Sequence, residues 1–178
     1  KTKRELIASE AKYRGFMQKS RDGVIIVNNK GVITEWNNAA EQIFERKSED
    51  IVGKYLWDVQ YQNIPDHIKK QVSKAYIKKM ILDHLNGKQT DHIDNLLVNQ
   101  IKVKSGLKWL QTVNNIFDIG GKKYIGSIVR DVTEQRIKED KLIDSEKKFR
   151  DFAESLPQTV YESDKNGFLT FVNKNGLK

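Results

Sequence analysis

The sequence predicts an α+β fold: a five-stranded antiparallel sheet with helices gathered on one face, flanked by N-terminal and C-terminal amphipathic helices. Three observations predict it. Apolar periodicity gives the element order β-β-α-α-α-β-β-β. Turns rich in Gly and Asn join neighbouring strands as hairpins, and that succession leaves the helices on one layer. A helix-plus-hairpin pattern near the start also recurs near the end, at a fixed spacing.

The elements follow in chain order. Residues 3–18, "KRELIASEAKYRGFMQ", form an amphipathic helix with Leu6, Ile7, Tyr13 and Phe16/Met17 on one side. The strands "GVIIVN" and "VITEW" are joined by Asn28-Asn29-Lys30-Gly31, where Gly supplies φ > 0. The short helix "NAAEQIFE" carries Ile43 and Phe44 as anchors; Ser48 reads as the cap of a further helical turn ended by Gly53. Residues 66–86 are helical, stopped by Asn86-Gly87. Their apolar stripe changes register, from Ile68, Val72 and Ala75 to Ile77, Ile81 and Leu85, which means two helices or one broadly buried helix. Strand-like runs at 92–104, 107–118 and 122–132 are separated by the turns "KSG" and "IGGK".

Residues 6–37 match residues 142–173 without a gap, at an offset of 136. Identities run from Leu6/Leu142, Ser9/Ser145 and Phe16/Phe152 through Val24/Val160, Gly31/Gly167 and Asn37/Asn173. The organisation expected is an N-terminal helix (1–18), a complete domain (19–133), a connecting helix (134–156) and the start of a second, truncated copy (157–178). Lacking most of its sheet, that truncated copy is expected to be disordered, or held by another molecule. An opening "KTKREL" without Met reads as a fragment of a longer protein.

Composition narrows the function. The chain has no Cys, so disulfides and thiolate metal sites are excluded. No apolar run approaches the roughly 20 residues of a membrane span. A net charge of +8 raises the possibility of a basic nucleic-acid-binding fragment. However, the basic pairs are scattered among acids, as on solvated helix faces, and no nucleic-acid partner is expected. No nucleophile with its base, metal-ligand spacing or phosphate-cradling Gly loop is present, so no catalytic residues and no metal are assigned.

Two blocks carry a family resemblance: "DGVIIVNNKGVITEWNNAAEQIF" (Asp22–Phe44) and "GLKWLQTVNNIFDIGGKKYIGSIVRDVTEQR" (Gly106–Arg136). They resemble the opening hairpin and helix, and the last two strands with their Asp-x-Thr exit, of a PAS sensor domain. Residues 53–99 match only in outline. The resemblance implies a sheet enclosing a small apolar cavity, and a module that binds small molecules or mediates contacts. Tandem copies joined by a helix resemble a cytoplasmic sensor histidine kinase. The implied partners are a second copy, a small-molecule ligand, an output kinase domain and its response regulator. A nucleotide cyclase or transcription regulator is the alternative output.

The cavity candidates are Val24, Ile26, Trp36, Phe44, Ile81, Leu97, Ile101, Leu110, Thr112, Asn114, Ile116 and Ser127. Asn114 shares the parity of Leu110 and Thr112, so its amide faces inward unless a bulge shifts the register. At the exit, Thr133 is expected to cap the following helix through an amide near Arg136, and Asp131 to pair with Arg136. These three are the candidate signal-transmission residues. Leu6, Tyr13, Phe16, Leu142, Phe149 and Phe152 form a candidate helix seam, which either pairs two subunits or covers the sheet's outer face. Some relatives ligate haem through a His on the long helix. Here His67 lies too early, His84 too near the helix stop, and His92 opens a strand, so haem is not expected. A cysteinyl flavin is excluded by the absence of Cys.

Overall fold

The computed structural model describes residues 2–88 and 95–177, which divide into two units, 1–133 and 134–178. The first unit holds α1 (Lys3–Lys19), β1 (Gly23–Val27), β2 (Ile33–Trp36) and α2 (Asn38–Phe44). Four helical segments follow: α3 (Ser48–Ile51), α4 (Leu56–Gln62), α5 (Asp66–Lys69) and α6 (Lys74–Leu85). It closes with β3 (Leu96–Val103), β4 (Gly106–Ile119) and β5 (Lys122–Asp131). The sheet order is β2-β1-β5-β4-β3, with every neighbouring pair antiparallel. The first and last sequence blocks therefore meet in the middle of the sheet.

Asn37 organises the start of the domain. It is 1% exposed and N-caps α2 by accepting the Ala40 N–H at 2.9 Å. The same oxygen accepts the Val24 N–H at 2.8 Å, while Nδ2 donates to the carbonyls of Met17 and Asp22 at 2.9 and 3.0 Å. One side chain thus ties α1, β1 and α2 together with its bonding groups satisfied. Beside it, the Asp22 carboxylate accepts from Arg130 Nε and Nη2 at 2.9 and 2.8 Å, joining the start of β1 to β5. That charged hydrogen bond holds the Asp22 carboxyl below its ordinary value, outweighing the opposite effect of partial burial.

The first hairpin turns where Asn28 Oδ1 accepts the amides of Lys30 and Val32, at 2.9 and 3.1 Å. Gly31 has φ 80°, and a Cβ there would lie 2.3 Å from the Trp57 ring, so no other residue fits. Ser48 does not cap α3 as expected. Lys47 holds the N-cap position without a side-chain bond, and the Ser48 amide instead donates to Glu41 at 2.7 Å.

The changed register in residues 66–86 resolves into two helices. Ser73 starts α6 by accepting the Tyr76 N–H at 3.1 Å. Ile77, Ile81 and Leu85 are buried, whereas Ala75 is exposed. An additional helix, α4, buries Leu56, Trp57 and Val59; it is too short for its periodicity to stand out in sequence. The expected strand at 92–104 is observed from Leu96, and its first residues, including His92, lie outside the described residues.

The second unit comprises α7 (Thr133–Ser155, the first residue of which belongs to the first unit), β6 (Tyr161–Ser163) and β7 (Leu169–Val172). In the truncated copy β6 and β7 form a hairpin, paired from Tyr161↔Val172 to Ser163↔Leu169. Asn173 Nδ2 donates to the carbonyls of Ala153 and Gln158, and Oδ1 accepts from Val160 and Gly176. Each partner is the repeat equivalent of an Asn37 partner, so this local network needs no further strands to form.

Removing the Asn37 network leaves buried amides and carbonyls without partners. Asn37→Ala is expected to lower the unfolding free energy of the first unit by about 3 kcal/mol, read by urea denaturation. A loss smaller than about 1 kcal/mol would contradict the role assigned to this side chain. Because its folded pKa is depressed, Asp22 contributes stability above its unfolded value that is lost as pH falls through the folded one. Asp22→Asn is therefore expected to flatten the acid limb of the stability profile below about pH 4, and an unchanged limb would refute it.

Candidate functional site

A cavity of about 550 Å³ lies between the inner face of the first sheet and its helices. The floor comes from alternating strand residues: Ile25 on β1, Trp36 on β2, Leu97 and Ile101 on β3, Leu110, Thr112 and Asn114 on β4, and Ile125, Ser127 and Val129 on β5. Phe44 and residues of α4 and α6, among them Val59, Ile77, Met80, Ile81 and His84, complete the walls. Trp36 and Phe44 meet with ring centroids 4.9 Å apart, a tilted aromatic pair.

Nine of the twelve candidate cavity residues line this space: Trp36, Phe44, Ile81, Leu97, Ile101, Leu110, Thr112, Asn114 and Ser127. Asn114 lies directly opposite Ser127 in the β4–β5 ladder, and the Ser127 hydroxyl donates to its Oδ1 at 2.6 Å. Val24 and Ile26 are corrected. In β1 the buried positions are Gly23, Ile25 and Val27, which puts Val24 and Ile26 at the opposite parity. Both faces of "GVIIV" are apolar, so alternation could not choose between them. Pairing decides, through Ile25↔Trp36 and Ile25↔Ser127, together with close packing of Gly23 against Ala40 and Ile43. Ile116 has the inward parity but packs against the core beside the cavity rather than lining it.

Sequence reasoning missed several polar lining residues: Gln60, Asn63, Tyr76 and His84 in the wall, and Asn99 and Gln100 on β3. His84, near the end of α6, is 4% exposed in the cavity wall. Its spacing from Ile77 and Ile81 was the available signal, because positions i, i+4 and i+7 share one helix face. Asn63 carried no signal. Its place is set by β3, where its Nδ2 donates to the Lys102 carbonyl at 2.9 Å and its own carbonyl accepts the Lys102 N–H at 2.8 Å. Among the described residues, no group of His, Cys, Asp and Glu is arranged to hold a metal ion. The site offers desolvation and hydrogen bonds, the chemistry of binding.

At the exit of the sheet, only Val132 separates β5 from α7. The Thr133 hydroxyl does not reach forward as a helix cap toward Arg136. It accepts the Trp109 N–H at 2.8 Å and donates to Asp131 Oδ1 at 2.6 Å, while Asp131 also accepts the Thr133 N–H at 3.0 Å. Asp131 lies 3.7 Å from Lys108 Nζ, which donates to the carbonyls of Gln42 and Ile43 and pairs with Glu45 at 3.3 Å. Arg136 lies in the first turns of α7.

Glu45 closes this knot. It ends α2 at φ 56°, the one non-glycine residue with positive φ among those described. Its carboxylate accepts from the Ser105 hydroxyl and amide, which with Lys108 keep its pKa below the ordinary value. The residue before it, Phe44, lines the cavity. A connected path of packing and hydrogen bonds therefore runs from the cavity wall to Asp131 and Thr133.

The seam candidates are exposed on their helices. On α1, Leu6, Tyr13 and Phe16 are exposed, Phe16 at 77%, and only Met17 is buried. On α7, Leu142, Phe149 and Phe152 are exposed, and only Ala153 is buried. No helix among the described residues is long and apolar enough to cross a membrane.

Comparison with known proteins agrees with this architecture. An uncharacterised protein of Azorhizobium caulinodans is 25% identical over 133 residues, covering 74% of this chain but 17% of that protein. The PAS domain of Bordetella pertussis BvgS superposes with a TM-score of 0.55 at 12% identity, covering 79% of this chain and 98% of that one. An RNA-binding light-oxygen-voltage receptor superposes with a TM-score of 0.54 at 10% identity, covering 76% and 36%. A family model described as the PAS fold matches residues 11–132. With its sheet order, its cavity over the inner face of the sheet and that match over most of its length, the chain belongs to the PAS family.

Proposed function

We propose that this PAS sensory domain couples occupancy of its cavity by a small ligand to an output domain of the parent protein, a histidine kinase of a two-component system that acts on a response regulator. The observation that carries the reading is the path from Phe44 through Glu45 and Lys108 to Asp131 and Thr133. A ligand that moves the α2 end alters the contacts of Lys108, and hence the groups that hold the last residues of the sheet. Coupling of this kind requires two arrangements that the ligand distinguishes by affinity. The tandem repeat with its intervening helix supports a histidine kinase as the output. A cytoplasmic setting fits a chain free of Cys.

The domain also acts as a dimerisation module with a second copy of itself. The apolar faces of α1 and α7 support this, since exposed large side chains at helical spacing are what a helical seam supplies.

In the parent protein, Asp131→Ala combined with Thr133→Ala is expected to leave basal output within about threefold of wild type while abolishing the response to ligand. A retained response would count against the path. For the seam, Phe16→Glu with Phe149→Glu is expected to convert a dimer into a monomer in sedimentation equilibrium, weakening association at least about tenfold with helicity unchanged. Equal association of the variant would remove both helices from the interface.

A further inference from the structure

Among the described residues, the side chains lining the cavity include no Asp, Glu, Lys or Arg. An ion brought there loses its hydration without meeting a carboxylate, an ammonium or a guanidinium; the ionisable side chains among the lining are the His84 imidazole and the Tyr76 phenol. The polar groups present are of another kind. Thr112 and Asn114 stand two residues apart on β4, and Ser127 lies across from Asn114 on β5, forming one continuous polar patch in the middle of the floor, while Asn99 and Gln100 line its β3 edge. The Ser127 hydroxyl gives its hydrogen to Asn114 Oδ1, so its oxygen is oriented to accept. The wall adds the amides of Gln60 and Asn63, the Tyr76 hydroxyl and the His84 imidazole.

We propose that the cavity takes an uncharged, largely apolar small molecule bearing one neutral hydrogen-bonding edge, an alcohol or carboxamide, and discriminates against both anions and cations. The edge lies on the Thr112–Asn114–Ser127 patch, and the apolar body fills the space beneath Trp36, Phe44 and Ile81. The inference rests on the reading of this cavity as a ligand site and adds the class of ligand that its lining selects.

The test uses the full chain at about pH 8, where carboxylic acids are ionised and alkylamines protonated. Decanamide, decanol, decanoate and decylamine are titrated below their micellar concentrations, followed by thermal unfolding and calorimetry. Naphthaleneacetamide and naphthaleneacetate serve as a second, rigid pair. The amides and the alcohol are expected to bind at least about tenfold tighter than the charged probes. Thr112→Val with Ser127→Ala is expected to weaken decanamide binding at least about tenfold, and undiminished binding would overturn the placement of the polar edge. A charged probe that binds as tightly as its neutral partner overturns the selectivity while leaving the cavity a ligand site. Failure of every probe, or neutral selectivity that persists in the cavity-filling variant Ile81→Trp, overturns the ligand-site reading and this inference together.

Discussion

Everything in the first unit is hung on one buried amide. Asn37 satisfies both of its hydrogens and its oxygen on main-chain groups at α1, β1 and α2, and the Asn38 bonds to Gln18 add to the same junction. Hydrogen bonds of this kind are directional, so they set angle and register where hydrophobic packing alone tolerates sliding. With β1 held, its pairing with β2 on one side and β5 on the other follows, and the last strand, β5, takes the middle of the sheet. The same arrangement around Asn173 shows that the device is local: a helix end, a hairpin and one amide are sufficient to form it.

The cavity follows from that frame. The inner face of the sheet is covered by α4 and α6 together with the end of α2, and not by one continuous helix. Space remains between the layers, at a cost in lost packing. Hydroxyls and amides on the floor make this region less suited to a collapsed core and better suited to a guest. On one side the boundary is Phe44, packed on Trp36; on the other is the last turn of α6.

Polar bonding at the sheet exit has the same logic as that at Asn37. Lys108 satisfies the carbonyl end of α2 and lies between two carboxylates, Glu45 and Asp131. A helix end carries partial negative charge, which a lysine ammonium offsets. Glu45, in a left-handed conformation, is kept there by side-chain bonds on both of its oxygens. Backbone conformations of that sort persist where neighbours over-determine them, and here the neighbours are the strand turn and the exit of the sheet.

By itself the sequence determined the elements of the sheet, the turns that join them, the repeat and the inward parity of β4 and β5. These are local properties: strict alternation, glycines with positive φ and self-similarity are all written within a few residues of where they act. Only the tertiary structure decided the parity of β1, because both faces of Gly23–Val27 are apolar and the choice depends on partners far along the chain. It likewise decided the orientation of Thr133, whose hydroxyl finds Trp109 across the ladder and not the helix ahead, and the position of Asn63, fixed by Lys102 on another strand. A hydrogen bond between residues distant in sequence leaves no pattern in either segment, which is why these parts of the site emerged only once the chain was folded.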